Sequence, residues 1–78
     1  MPMPIDLDTL SPREREIVAR LARGDAQKAI AADLGISDSA VEIYIARAKV
    51  KLGAVTVIHL AVIFAVESAL YRQSQTAA

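Results

Sequence analysis

The stretch Gly24-Asp25-Ala26-Gln27-Lys28-Ala29-Ile30-Ala31-Ala32-Asp33-Leu34-Gly35-Ile36-Ser37-Asp38-Ser39-Ala40-Val41-Glu42-Ile43-Tyr44-Ile45-Ala46-Arg47-Ala48-Lys49-Val50-Lys51-Leu52-Gly53 places glycines at both ends and in the middle of two helical patterns. From Gln27 to Leu34, the residues Ile30, Ala31 and Leu34 form one apolar face of a short helix. Gly35 stops that helix, because a left-handed turn is cheapest for glycine. Ser37 or Asp38 then caps a second helix from about Asp38 to Leu52, in which Val41, Ile45, Ala48 and Leu52 recur at three- and four-residue steps. Two short helices joined by a glycine-containing turn are the sequence form of a helix-turn-helix. Many small helical bundles contain such a pair, so topology alone leaves a purely structural reading open.

Upstream, Ser11-Pro12-Arg13-Glu14 is a helix start: Ser11 as N-cap, Pro12 at the first helical position and Glu14 placed to close a capping box. Ile17, Val18 and Leu21 continue at helical spacing, Leu10 precedes the cap as a staple residue, and Gly24 ends the helix. Downstream, a fourth helix from about Thr56 to Arg72 is apolar nearly all round for its first turns. One stripe is Ile58, Ala61, Val62, Ala65 and Ala69; the other is Val57, Leu60, Phe64, Ser68 and Tyr71. A helix with two apolar faces in so small a domain packs on the core with one and on a partner with the other. We assign the Val57, Leu60, Phe64, Ser68 and Tyr71 stripe to a dimer interface.

The ends and the bulk composition bound the rest. A chain of 78 residues has room for one core and no separate sensor or catalytic module, so a stand-alone domain over 10–72 is expected. Residues 1–9, with Pro2 and Pro4, read as a flexible arm without the features of a signal peptide, and 73–78 as a polar tail. Cysteine is absent, which removes disulfides and thiolate zinc sites and makes a reducing cytoplasm the expected compartment. The most apolar stretch, Leu52 to Val66, contains His59, is followed by Glu67 and is shorter than the roughly 20 residues that span a bilayer. No membrane association is expected. Nine basic and nine acidic residues cancel, so no net field draws the chain to nucleic acid.

The wording of the motifs resembles the LuxR/FixJ/GerE family. Leu10-Ser11-Pro12-Arg13-Glu14-Arg15-Glu16-Ile17-Val18 is similar to that family's opening, Lys28, Ile30, Ala31, Leu34, Gly35, Ile36 and Ser37 to its central segment, and Val41 with Lys51-Leu52-Gly53 to its recognition helix and close. The resemblance implies an all-α, four-helix (tetrahelical) helix-turn-helix in which helix 3 enters the major groove of double-stranded DNA and helix 4 mediates dimerisation on two half-sites. It implies that Glu42, Ile43 and Ala46 face the bases, and that phosphates are held around Lys28, Ser39, Ala40, Arg47, Lys49 and Lys51.

The chain departs from the family on that face. Glu42 stands where a lysine is usual, Ala40 for threonine, Tyr44 for histidine, Ala46 for a polar or basic residue, and Val55-Thr56-Val57-Ile58 for a polar, often basic turn. A carboxylate facing DNA repels phosphates and accepts a bond only from cytosine N4 or, less commonly, adenine N6. Glu42 is therefore either a specificity determinant or a surface charge on a domain that no longer reads DNA. Two functions follow: a DNA-binding transcriptional regulator, homodimeric through helix 4, or an antiactivator that heterodimerises with a larger LuxR-type protein.

Enzyme chemistry has little support. His59 is the sole histidine and lacks partners for a metal site or a base, so it reads as a helix-surface or interface residue. Ser11 is a cap with no base to activate it, and Tyr44 and Tyr71 are amphipathic packing residues. No cofactor or metal is expected.

Overall fold

Ser11 starts the first long helix by accepting a hydrogen bond from the Glu14 backbone N–H at 3.2 Å, while Glu14 Oε1 accepts one from the Ser11 N–H at 2.9 Å. With Pro12 at the first helical position, this reciprocal box launches α1, Pro12–Ala22. The remaining helices are α2, Gln27–Leu34, α3, Asp38–Leu52, and α4, Val57–Thr76. The structure, a computed structural model, describes residues 6–76. It is all-α, with no strand among the described residues.

The helix-turn-helix has the bounds its glycines and caps imply. Gly35, at φ 67°, ends α2 in the left-handed conformation, and its N–H turns back to the carbonyl of Ala32. Ser37 Oγ then accepts from the Ala40 N–H at 3.0 Å and opens α3, so Ser37 rather than Asp38 is the cap. Gly53 repeats the left-handed ending at φ 69°.

Helix α1 packs against both α3 and α4, and α2 against α3. The core is Leu10, Ile17, Val18, Ile30, Ala31, Val41, Ile45, Ala48, Leu52 and Leu60, with Leu21 and Leu34 partly buried beside it. Every inward residue expected on α3 is buried there. The apolar run from Leu52 to Val66 is divided between two helices: Leu52 closes α3, the corner at 53–56 turns the chain by 60°, and α4 begins at Val57. No single helix among the described residues is long and apolar enough to cross a membrane.

Both ends differ from the expected arm and tail. Leu7–Thr9 forms a turn of 3-10 helix capped by the Asp6 carboxylate, Leu7 packs on the core, and Arg15 pairs with Asp8 at 2.8 Å. The rest of the expected arm, 1–5, lies outside the described residues. Helix α4 runs on to Thr76, into the expected polar tail. Gln73-Ser74-Gln75-Thr76 contains no glycine or proline, and polarity without a breaker does not end a helix. Residues 77–78 lie outside the described part.

Candidate nucleic-acid interface

The outward face of α3 is built by the same periodicity that fills the core. With Val41, Ile45, Ala48 and Leu52 inward, the residues between them point away, and Ser39, Glu42, Ile43, Ala46, Arg47 and Val50 are all exposed. Ala40 and Tyr44 are half-buried at the edges of this face. Lys49 is half-buried and lines a shallow groove of about 260 Å³ with Gln27, Glu42, Ile45, Ala46 and Val57. Lys28, on α2, is exposed. The structure thus brings Glu42, Ile43, Ala46, Arg47 and Lys49 onto or beside one helical surface. Two of the exposed side chains on it are large and apolar, Ile43 and Val50.

Lys51 has a different place. Its Nζ donates to Glu14 Oε1 at 2.7 Å, and that carboxylate is buried between the N-terminus of α1 and the end of α3. Burial pushes the Glu14 carboxyl up, but the Lys51 hydrogen bond, the Ser11 N–H, the Lys51 charge and the Ser11 hydroxyl together bring it below its ordinary value. Lys51 is therefore the counter-charge of a buried acid, a role that spacing along the sequence does not reveal because the partners are far apart in the chain.

Other cations are occupied too. Arg20 bridges Asp25 and Asp33, tying the end of α1 to the following loop and to α2. Arg23 shares Asp25, Arg13 pairs with Glu16, and Arg15 with Asp8. Hydrogen bonds from Arg23 and then Arg20 hold the Asp25 carboxyl below its usual range, and the same network raises Arg20. On the helix-turn-helix face this leaves Lys28, Arg47 and Lys49 without an ion pair among the described residues.

The two stripes of α4 are assigned the other way round from the expectation. Leu60 is fully buried, and Val57, Ile63 and Phe64 pack against the core. Ser68 is half-buried, and of the stripe assigned to a dimer interface only Tyr71 is largely exposed, at 65%. The outward ridge is Ile58, Val62, Val66 and Leu70, each more than half exposed, with Ala65 and Ala69 also exposed beside it. The period of the pattern is symmetrical between the stripes; only the packing of α1 and α3 decides which of them is covered.

The start of α4 carries a capping arrangement of its own. The Thr56 hydroxyl accepts from the His59 N–H, and His59 Nδ1 accepts from the Val55 N–H, both at 3.0 Å. The signal was available, because Thr56 and His59 stand at the spacing of a capping box. Among the described residues no group of three or more metal-ligating side chains comes together.

Four helices with a glycine-hinged pair and an exposed, mixed-charge face on the second helix of that pair define a tetrahelical helix-turn-helix domain. Residues 8–64 match the family described as bacterial regulatory proteins, luxR family (GerE), and the chain belongs to that family. It is 43% identical over 54 residues to the Transcriptional regulatory protein UhpA of Escherichia coli (strain K12), a match that covers 69% of this chain and 28% of UhpA. The chain thus spans about a quarter of the length of that relative. No solved structure matches it.

Proposed function

We propose that this domain binds double-stranded DNA as a transcriptional regulator in the cytoplasm, with α3 in the major groove and α4 joining two copies. The observation that carries this reading is the exposed surface of α3, where Arg47, with Lys49 beside it, has no ion pair among the described residues, within a helix-turn-helix of the LuxR family. Arg47 and Lys49, helped by Lys28 and the Ser39 hydroxyl, hold phosphates; Glu42, Ile43 and Ala46 face base edges. The role that the name of UhpA prints, transcriptional regulation, is carried to this chain on the same ground. Dimerisation uses the outward ridge Ile58, Val62, Val66 and Leu70, since Leu60 and Phe64 are committed to the domain's own core.

A second reading, an antiactivator that heterodimerises with a larger LuxR-type regulator, is favoured by one observation. Five cations, Arg13, Arg15, Arg20, Arg23 and Lys51, are engaged by the chain's own carboxylates, while the apolar ridge of α4 is open. Fluorescence anisotropy with DNA duplexes from the region upstream of the gene, at low and at physiological salt, separates the two. Saturable binding that weakens with salt supports the regulator. Absence of binding, with capture of a full-length LuxR-type regulator by the ridge, supports the antiactivator.

A further inference from the structure

We propose that His59 is a proton-sensitive latch on the corner between α3 and α4: its neutral imidazole closes the corner, and protonation opens it. The latch belongs to the isolated domain and does not rest on DNA binding. Thr56 is the N-cap of α4, since its carbonyl accepts from Leu60 N–H at 2.9 Å and its hydroxyl from His59 N–H at 3.0 Å. In an ordinary capping box the side chain at the third helical position, a glutamate or glutamine, bonds back to the N-cap N–H. His59 holds that position here and reaches one residue further, to the N–H of Val55 at 3.0 Å.

The chemistry of that bond makes it conditional. The Val55 N–H is a donor, so Nδ1 must carry a lone pair and the proton must sit on Nε2. A second proton converts Nδ1 into a donor aimed at another donor. It also places a cation at the positive end of α4, where the helix dipole disfavours it. Both effects act in the same direction, against the closed corner. His59 is exposed, so the proton arrives without unfolding.

Among the described residues no carboxylate is ion-paired with His59. On α1, which packs against α4, Arg13 is paired with Glu16, Arg15 with Asp8, Arg20 with Asp25 and Asp33, and Glu14 with Lys51 of α3. Asp38, Glu42, Arg47 and Lys49 are the other charged groups of α3, and Glu67 and Arg72 those of α4. Asp38, Glu42 and Glu67 make no ion pair with the imidazole among the described residues.

What the latch controls follows from where it sits. Residues 53–56 make the 60° turn between α3 and α4, and α1 packs on both helices, so an open corner loosens the turn itself and frees the Val55 amide. Ala54 is held by its N–H on the carbonyl of Lys49 and by packing on the core, but Val55 is 78% exposed, and its N–H is held by His59 Nδ1.

The test is a nuclear magnetic resonance titration of the full chain from pH 7.5 to 5.5, following the imidazole carbons of His59 and the amides of residues 53–60. The expected result is that the Val55 amide proton moves upfield with the same midpoint as the imidazole, and that its protection from exchange falls about tenfold, the size of one ordinary hydrogen bond. The variant His59→Gln keeps an acceptor at every pH in this range and is expected to hold the Val55 amide in place throughout. The latch is overturned if the imidazole titrates while the Val55 amide stays fixed, or if His59→Gln shows the same amide shift as the wild type. Circular dichroism at both pH values confirms that the helices persist, so that global unfolding is not mistaken for an opened corner.

Discussion

At the scale of single residues, Glu14 is the one buried polar residue among those described, and it joins two helices. Its carboxylate closes the capping box of α1 and neutralises Lys51 at the end of α3, and it is almost wholly buried while doing so. Glu14→Ala removes the capping acceptor and leaves the Lys51 ammonium without its partner. The half-screened position of Lys51 moderates the penalty, and a loss of about 1–3 kcal/mol is expected by urea unfolding. Glu14→Gln, which keeps an amide oxygen for the Ser11 N–H, should lose less. The lowered pKa of Glu14 fixes the sign of the acid response. A carboxyl whose folded value lies below its unfolded one adds stability that is complete above the unfolded value and disappears as pH falls through the folded one. Unfolding free energy should therefore decline with acid below the ordinary carboxylate range, and the decline should be shallower in Glu14→Gln. A wild type and a variant with parallel acid profiles would refute the assignment. Gly35 offers a contrasting kind of residue effect. A methyl group added there meets no atom within 4 Å, so Gly35→Ala strains only the backbone, at φ 67°. The expected cost is about 1 kcal/mol, and Gly35→Asn should cost less, because asparagine tolerates the left-handed region better.

At the scale of elements, the helices differ in how openly the sequence announces them. The bounds of α2 and α3 and the box at Ser11 were legible because capping and turn chemistry are local: Ser11, Gly35, Ser37 and Gly53 each act on neighbours a few residues away. The orientation of α4 was not legible. Its stripes at Leu60 and at Val62 have the same period and similar hydrophobicity, and only contact with α1 and α3 distinguishes them. The pairing of Lys51 was not legible for a related reason, since its partner lies across the fold on α1. The corrected orientation makes a paired prediction. Leu60→Ala should cost about 2–5 kcal/mol of unfolding free energy by leaving a cavity in the core. Val62→Glu should leave stability within about 0.5 kcal/mol, as surface substitutions do, while abolishing self-association measured by sedimentation. The ridge supplies four large exposed side chains, where a standard interface draws on about 20–30 residues a side. Association is therefore expected to be concentration-dependent. If Val62→Glu unfolds the domain and Leu60→Ala does not, the stripes have been exchanged.

At the scale of the whole molecule, a net charge of zero conceals a sorting of charges that bears on affinity for DNA. Arg13, Arg15, Arg20, Arg23 and Lys51 are spent on internal ion pairs, so the helix-turn-helix face presents Lys28, Arg47 and Lys49 against the carboxylate of Glu42. Each phosphate neutralised releases condensed counterions, and a dimer using those cations alone should give a slope of log affinity against log salt no steeper than about −5.5. Arg47→Ala should flatten that slope by about 1 for each protomer and weaken all sequences alike. Lys51→Ala should act differently, lowering unfolding stability while leaving the slope nearly unchanged, because its charge is already neutralised by Glu14. Glu42 supplies the remaining discrimination. If it accepts a bond from a base, Glu42→Gln changes which duplexes bind best; if it is only a repulsive surface charge, Glu42→Gln tightens every duplex by a similar factor. Anisotropy over a set of duplexes that differ at one base pair distinguishes these outcomes. We expect the uniform tightening, because the two residues that face the bases with Glu42, Ile43 and Ala46, have no hydrogen-bonding side chain to share the reading of a base edge. A change of preferred sequence in Glu42→Gln would refute that expectation and make Glu42 the specificity determinant of the domain.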